Sequence, residues 1–198
     1  SDVSLTVDQG ELLAIIGPNG AGKTSLFNCI SSIYKPTTGH VSFRGSDVSH
    51  LESHEVASLG VSRMFQNVAL FDNLTVLENL LVGRHHLFRR SFISNIFWSG
   101  NTKKEEAKHR AKCEEIIDFL HLEKYRLIPV MILPYGVRKR VELGRALCME
   151  PKLLLLDEPI AGLNHEESED MARFILDIKE ELNITQILIE HEMRFVMD

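Results

Sequence analysis

The chain predicts an α/β fold: a mainly parallel sheet with a small antiparallel β part and an inserted α-helical subdomain. Three observations predict it. A strand, a glycine-rich loop and a helix follow one another over residues 12–33, residues 75–149 carry helical periodicity with little strand signal, and two buried strands flank a helix over residues 152–189. Strands alternating with helices need crossover connections, which build a parallel sheet, and a helical stretch between two such regions reads as a subdomain.

With 198 residues and about 150 per domain, one core with an insertion fits better than two independent domains. The expected division is 1–74 with 150–198 as the core and 75–149 as the helical part. Acidic residues outnumber basic ones, 28 to 22, and the net charge of -6 argues against a chain that holds nucleic acid by neutralising phosphates. No apolar run approaches the roughly 18 residues needed to cross a bilayer. Cys29, Cys113 and Cys148 form no CxxC pair and read as reduced, buried thiols of a cytosolic protein. Position 1 is Ser and no signal peptide follows, so the sequence is expected to be a piece of a longer protein.

In order, Ser4–Val7 and Leu12–Ile16 read as strands separated by the turn Asp8-Gln9-Gly10. Leu26, Phe27, Ile30 and Ile33 share one helical face before Pro36 and Gly39 stop the pattern. His40–Phe43 alternates like a strand, Ser53–Leu59 reads as a short helix, and Val61–Phe65 returns to extended character. Thr75 followed by Glu78 has capping-box form and opens the helical region. There Cys113, Ile116, Ile117 and Leu120 make one amphipathic face, and Val137, Val141 and Cys148 another. Lys152–Leu156 is a buried strand. Asn164 and Glu167 cap a helix whose face is Met171, Phe174, Ile175, Ile178 and Leu182, and Thr185–Ile189 is a further buried strand.

Gly17-Pro18-Asn19-Gly20-Ala21-Gly22-Lys23-Thr24 satisfies GxxxxGK[ST] directly after a strand and at the start of a helix, the context that gives this spacing meaning. Glycines let successive backbone N–H groups curl around phosphates, and the helix N-terminus adds a positive dipole end. Lys23 supplies a point charge for the β- and γ-phosphates, the Thr24 hydroxyl is a Mg²⁺ ligand, and Ser25 completes the binding stretch. Such a loop predicts an acidic partner at the end of a neighbouring strand, and Leu153-Leu154-Leu155-Leu156-Asp157-Glu158 supplies it. Asp157 is expected to hold Mg²⁺ and Glu158 to act as general base on the attacking water.

Together with further elements in order, these residues resemble the ATP-binding cassette (ABC) ATPases, a P-loop NTPase family, over nearly the whole chain. Gln66, in Met64-Phe65-Gln66-Asn67, resembles the Q-loop glutamine that touches metal or lytic water in that family. Leu133-Pro134-Tyr135-Gly136-Val137 stands at the signature sequence, Asp157 and Glu158 match Walker B, Ala161-Gly162-Leu163-Asn164 the D-loop, and His191 the switch histidine. The resemblance implies ATP and Mg²⁺ as cofactors and two cassettes sandwiching two ATP molecules. Gly17 to Ser25 would bind one ATP, and Gly136 would reach the ATP of the opposite subunit. Lys23, Gln66, Glu158 and His191 would serve hydrolysis, and Thr24, Gln66 and Asp157 the metal.

Two departures bear on this. Pro134 and Tyr135 replace the serine and first glycine of LSGGQ, which removes a hydroxyl contact to γ-phosphate, and Asn164 stands where the D-loop usually has Asp. The aromatic A-loop residue of the family lies upstream of the first strand and is not in this sequence.

The wording of Phe27-Asn28-Cys29-Ile30, Phe65-Gln66-Asn67, Leu74-Thr75-Val76 and Ile189-Glu190-His191-Glu192-Met193 resembles the branched-chain amino-acid importer ATPases. The segment Arg84–Lys104, with Phe92, Ile96, Phe97 and Trp98, looks like the insertion those subunits carry, or packs on the core of its own subdomain. This implies transmembrane permease subunits, a solute-binding protein and a second ATPase subunit as partners, no nucleic acid, and a cytoplasmic position on the inner face of the cell membrane. Alternatives are a urea or amide importer, a lipopolysaccharide-export ATPase, a soluble non-transport ABC ATPase or a catalytically dead nucleotide-binding module. His50 and His54 lie one helical turn apart but Glu52 is not at the HExxH position, His191-Glu192 has Phe195 where a second His would stand, and His85 and His86 show no ligand spacing.

Overall fold

A computed structural model describes residues 3–85, 87 and 99–191. Its parallel sheet has four strands in the order β1 (Leu12–Ile16), β6 (Thr185–Glu190), β5 (Leu153–Asp157) and β4 (Val61–Met64). Leu13 pairs with Ile187, Leu155 with Ile187, and Arg63 with Leu155. Both central strands are buried along their whole length, which explains their unbroken apolar runs. The expected α/β class holds.

The sheet belongs to a compact unit of residues 1–66 and 152–198. It also contains α1 (Lys23–Ile30), α2 (Ser53–Leu59) and α6 (His165–Glu180). Phe27 and Ile30 of α1 and Val56 of α2 pack with Val48, Val61, Leu153, Leu155, Ile187 and Ile189 in one buried cluster. Asn164 caps α6, its Oδ1 accepting from Glu167 N–H at 3.0 Å while Glu167 Oε2 accepts from Asn164 N–H at 3.1 Å. Met171, Phe174, Ile175 and Ile178 are buried as the periodicity requires, but Leu182 lies past the end of the helix and is exposed.

Two local expectations are corrected. Ser4–Val7 forms no strand, because the ladder beside β1 is made by β6 alone and an extended segment without a partner satisfies no backbone groups. The small antiparallel part is instead a hairpin of β2 (Ser42–Phe43) and β3 (Ser46–Asp47), and β3 was not expected. Its two-residue turn, Arg44-Gly45, has positive φ at both positions, the twist that tight hairpins favour.

The second unit, residues 67–151, is helical: α3 (Val76–Gly83), α4 (Ser99–Phe119) and α5 (Tyr135–Leu147), with short 3₁₀ turns between the last two. Thr75 caps α3 as its sequence predicts, its hydroxyl accepting from Glu78 N–H at 3.2 Å. Cys113, Ile116 and Ile117 of α4, Leu120 just past its end, and Val137 and Val141 of α5 are buried. Gly144 is a point of close packing in this unit: a Cβ there would stand 3.0 Å from Leu120 Cδ1 and 3.4 Å from Leu80 Cδ1. Cys113 and Cys148 are buried free thiols with their sulfurs 3.7 Å apart, whereas Cys29 is a free thiol only half-buried, not buried as expected. Phe92, Ile96, Phe97 and Trp98 lie outside the described residues. No helix among the described residues is long and apolar enough to cross a membrane.

Candidate active site

The C-terminal edge of a parallel sheet is where its loops diverge and ligands bind, and the predicted residues emerge there. The glycine loop follows β1, Gln66 stands two residues past the end of β4, Asp157 ends β5 with Glu158 next, and Glu190 ends β6 with His191 next.

Asn19, Gly20, Gly22, Lys23, Thr24, Ser25, Gln66 and Glu158 line a cleft of about 330 Å³. Gly20 and Gly22 have φ of +81° and +93°, the left-handed region that side chains disfavour, and a Cβ on either would project into open space. That space over the start of α1, edged by backbone N–H groups, fits an anion such as a phosphate chain. Lys23 is buried and its ammonium donates to the Gly17 and Pro18 carbonyls at 2.6 and 3.1 Å, which folds the loop over its own cation. Pro18 and Ala21 shape the loop, with Ala21 N–H closing a turn onto the Pro18 carbonyl at 3.2 Å.

Glu158 occupies a strained position, with φ of +50° although it is not glycine. Its N–H is held by the Ile189 carbonyl of the neighbouring strand at 3.0 Å. Gln66 Nε2 donates to Glu158 Oε2 at 2.8 Å, and His191 Nδ1 lies 3.9 Å from Glu158 Oε1. Left-handed backbone at a non-glycine residue costs about 1 to 3 kcal/mol and persists where surrounding structure enforces it, commonly at functional positions.

Asp157 is buried behind this group. Its Oδ2 accepts from Arg63 at 2.7 Å, whereas Oδ1 is buried with no hydrogen-bond partner among the described residues. A buried carboxylate oxygen left without a donor suits a hard cation, so the donor set of Asp157 and the Thr24 hydroxyl fits Mg²⁺.

The structure thus brings Gly17 to Ser25, Gln66, Glu158, Asp157 and His191 together in one unit. Gly136 lies in the other, buried in the first turn of α5, where Pro134 is the N-cap. Sequence reasoning missed two charged residues. Arg63 holds Asp157, and an arginine within a short, mostly buried strand was the available signal. Glu190 is fully buried, its carboxylate accepting from Ile160 N–H at 3.4 Å and His191 N–H at 3.3 Å.

Residues 1–161 match the family described as "ABC transporter". The high-affinity branched-chain amino acid transport ATP-binding protein BraF of Pseudomonas aeruginosa is 37% identical over 195 residues, 98% of this chain and 76% of that protein. LivG of Salmonella typhimurium, whose name describes the same transport role, is 35% identical over 197 residues, 100% of this chain and 77% of its own. A solved nucleotide-free ATP-binding cassette from an ABC transporter aligns with a TM-score of 0.82 at 35% identity, covering 98% of this chain and 76% of its own. The dimeric bacterial ABC transporter cassette MJ0796 aligns with a TM-score of 0.78 at 26% identity, covering 98% and 80%.

Proposed function

The chain belongs to the ABC transporter family of ATPases, and from this premise we propose that it is the ATP-hydrolysing subunit of an importer for branched-chain or related amino acids. The observation that carries the catalytic part is Glu158 at the cleft wall, its two carboxylate oxygens facing Gln66 and His191. The amino-acid part rests on the transport roles named for BraF and LivG and on the likeness across nearly the whole chain.

In this reading the amides of Gly20 to Thr24 cradle the phosphates, and Lys23, released from the Gly17 and Pro18 carbonyls, meets the β- and γ-phosphates. Thr24 and Asp157, with Gln66, would hold Mg²⁺, which would supply positive charge against the phosphate oxygens. Glu158 takes a proton from the attacking water, Gln66 orients that carboxylate, and His191 contacts the γ-phosphate. Gly136 and the amides at the start of α5 serve the ATP of a second ATPase subunit, as the dimeric cassette suggests. Permease subunits hold this subunit at the cytoplasmic face of the membrane, and a solute-binding protein completes the transporter.

Uptake of radiolabelled leucine in cells lacking the gene tests the assignment. Uptake is expected to fall and to return with the wild-type gene but not with Lys23→Ala. Unchanged leucine uptake, with loss of uptake of urea or another solute, would move the protein to a different importer.

A further inference from the structure

Arg63 stands at a junction that the glycine loop and acidic pair do not by themselves require. On the paired strands it lies opposite Leu155, which puts Asp157, two residues further along β5, on the same face and within reach. One terminal nitrogen donates to Asp157 Oδ2 at 2.7 Å. The other donates to Asn28 Oδ1 at 2.7 Å and to Ser31 Oγ at 3.4 Å, both on or just past α1. The guanidinium also lies over two rings, 5.5 Å from the centroid of Phe27 and 4.8 Å from that of Phe65, the residue before Gln66. The Arg63 and Asp157 side chains are 6% and 2% exposed, so neither exchanges this partner readily for water.

A planar fork does here what an ammonium cannot. It reaches a carboxylate and an amide oxygen together while its faces meet aromatic rings, so it ties the helix after the glycine loop, the end of β5 and the segment entering Gln66 to one rigid group. Its hold on Asp157 is one-sided: Oδ2 is engaged and Oδ1 is left without a partner among the described residues.

We propose that Arg63 is a positioning residue for the metal site, fixing the Asp157 rotamer so that Oδ1 is the oxygen presented to Mg²⁺. This rests on the reading of Asp157 as a metal ligand. Partners that orient a metal-ligating carboxylate tune affinity for the metal rather than for the rest of the ligand. Arg63 therefore acts on the Mg²⁺ dependence of nucleotide binding and leaves metal-free nucleotide binding alone.

Equilibrium binding of a fluorescent ATP analogue to the purified protein, in EDTA and across a Mg²⁺ titration, tests this for wild type, Arg63→Gln, Arg63→Lys and Asp157→Asn, with melting temperatures alongside. Arg63→Gln is expected to raise the Mg²⁺ concentration for half-maximal tightening about 10-fold or more, with affinity in EDTA within about 2-fold of wild type. Arg63→Lys, which keeps the charge but not the fork, gives an intermediate shift and covers the case in which the glutamine variant does not fold. The proposal is overturned if both Arg63 variants keep the wild-type Mg²⁺ response while Asp157→Asn changes it, or if they weaken binding equally with and without Mg²⁺. An unchanged response in Asp157→Asn would remove the metal reading of Asp157 itself, and the proposal with it.

Discussion

Gln66 donates its side-chain amide to Glu158 Oε2 at 2.8 Å, joining the segment after β4 to the first residue after β5. The two strands are parallel neighbours, so each delivers its polar residue at the same edge of the sheet. The Glu158 backbone is already confined by its positive φ and by the bond from its N–H to Ile189, and Gln66 fixes the carboxylate beyond it.

Replacing Gln66 with Ala frees that carboxylate without removing it. Turnover is expected to fall about 10- to 100-fold through lost orientation, with KM for ATP little changed. Steady-state kinetics that show a raised KM at constant kcat would instead make Gln66 a binding residue.

Gly22 caps α1 with φ of +93° and ψ of 9°, and a Cβ there would meet nothing within 4 Å. Gly22→Ala is therefore expected to cost about 1 to 2 kcal/mol of backbone strain. ATP binding should fall by more than this accounts for, because the methyl group enters the phosphate cradle. Urea unfolding and an ATP titration on the same variant separate the two effects.

Arg84 is buried in the helical unit and donates to His109 Nδ1 at 2.9 Å, the Cys148 carbonyl at 3.0 Å and Glu150 Oε1 at 3.0 Å. Burial, and then the Arg84 charge, hold His109 below its usual pKa, which keeps Nδ1 able to accept. Arg84→Met strands buried acceptors and is expected to destabilise the protein by about 3 kcal/mol, read by urea unfolding.

Burial pushes the Glu190 carboxyl up from an ordinary 4.5 to about 7; the Glu158 charge adds to the rise, while the Ile160 and His191 amides and the His191 charge oppose it. Between those two values the folded chain holds a proton that the unfolded chain has released. Stability from this group is thus full below the lower value and falls as pH rises through the window, by at most about 1.4 kcal/mol per pH unit. Glu190→Gln stays neutral, so its stability relative to wild type should rise between pH 5 and pH 8. Denaturant midpoints with the same offset at both pH values would contradict this.

The glycine loop, the acidic pair and the capping boxes at Thr75 and Asn164 were legible because each is written in consecutive residues whose local chemistry determines their geometry. Arg63 and Glu190 were not, because Arg63 meets Asp157 across the strand register and Glu190 meets the Ile160 amide of the segment after β5, contacts that only the fold creates. Ser4–Val7 misled for the complementary reason: its alternation fits a strand, yet only a neighbour makes a strand, and β6 alone flanks β1. The strained φ of Glu158 has no sequence signal, since glutamate is a residue that ordinarily occupies right-handed or extended backbone.

The central claim is that Glu158, held by Gln66 beside the glycine-loop cleft, activates water for ATP hydrolysis. Single-turnover hydrolysis by Glu158→Gln, run beside sedimentation of the same protein with and without ATP, tests it most directly. Hydrolysis is expected to fall about 100-fold or more while ATP still binds and an ATP-dependent dimer accumulates. Hydrolysis at the wild-type rate, with no such dimer, would contradict it.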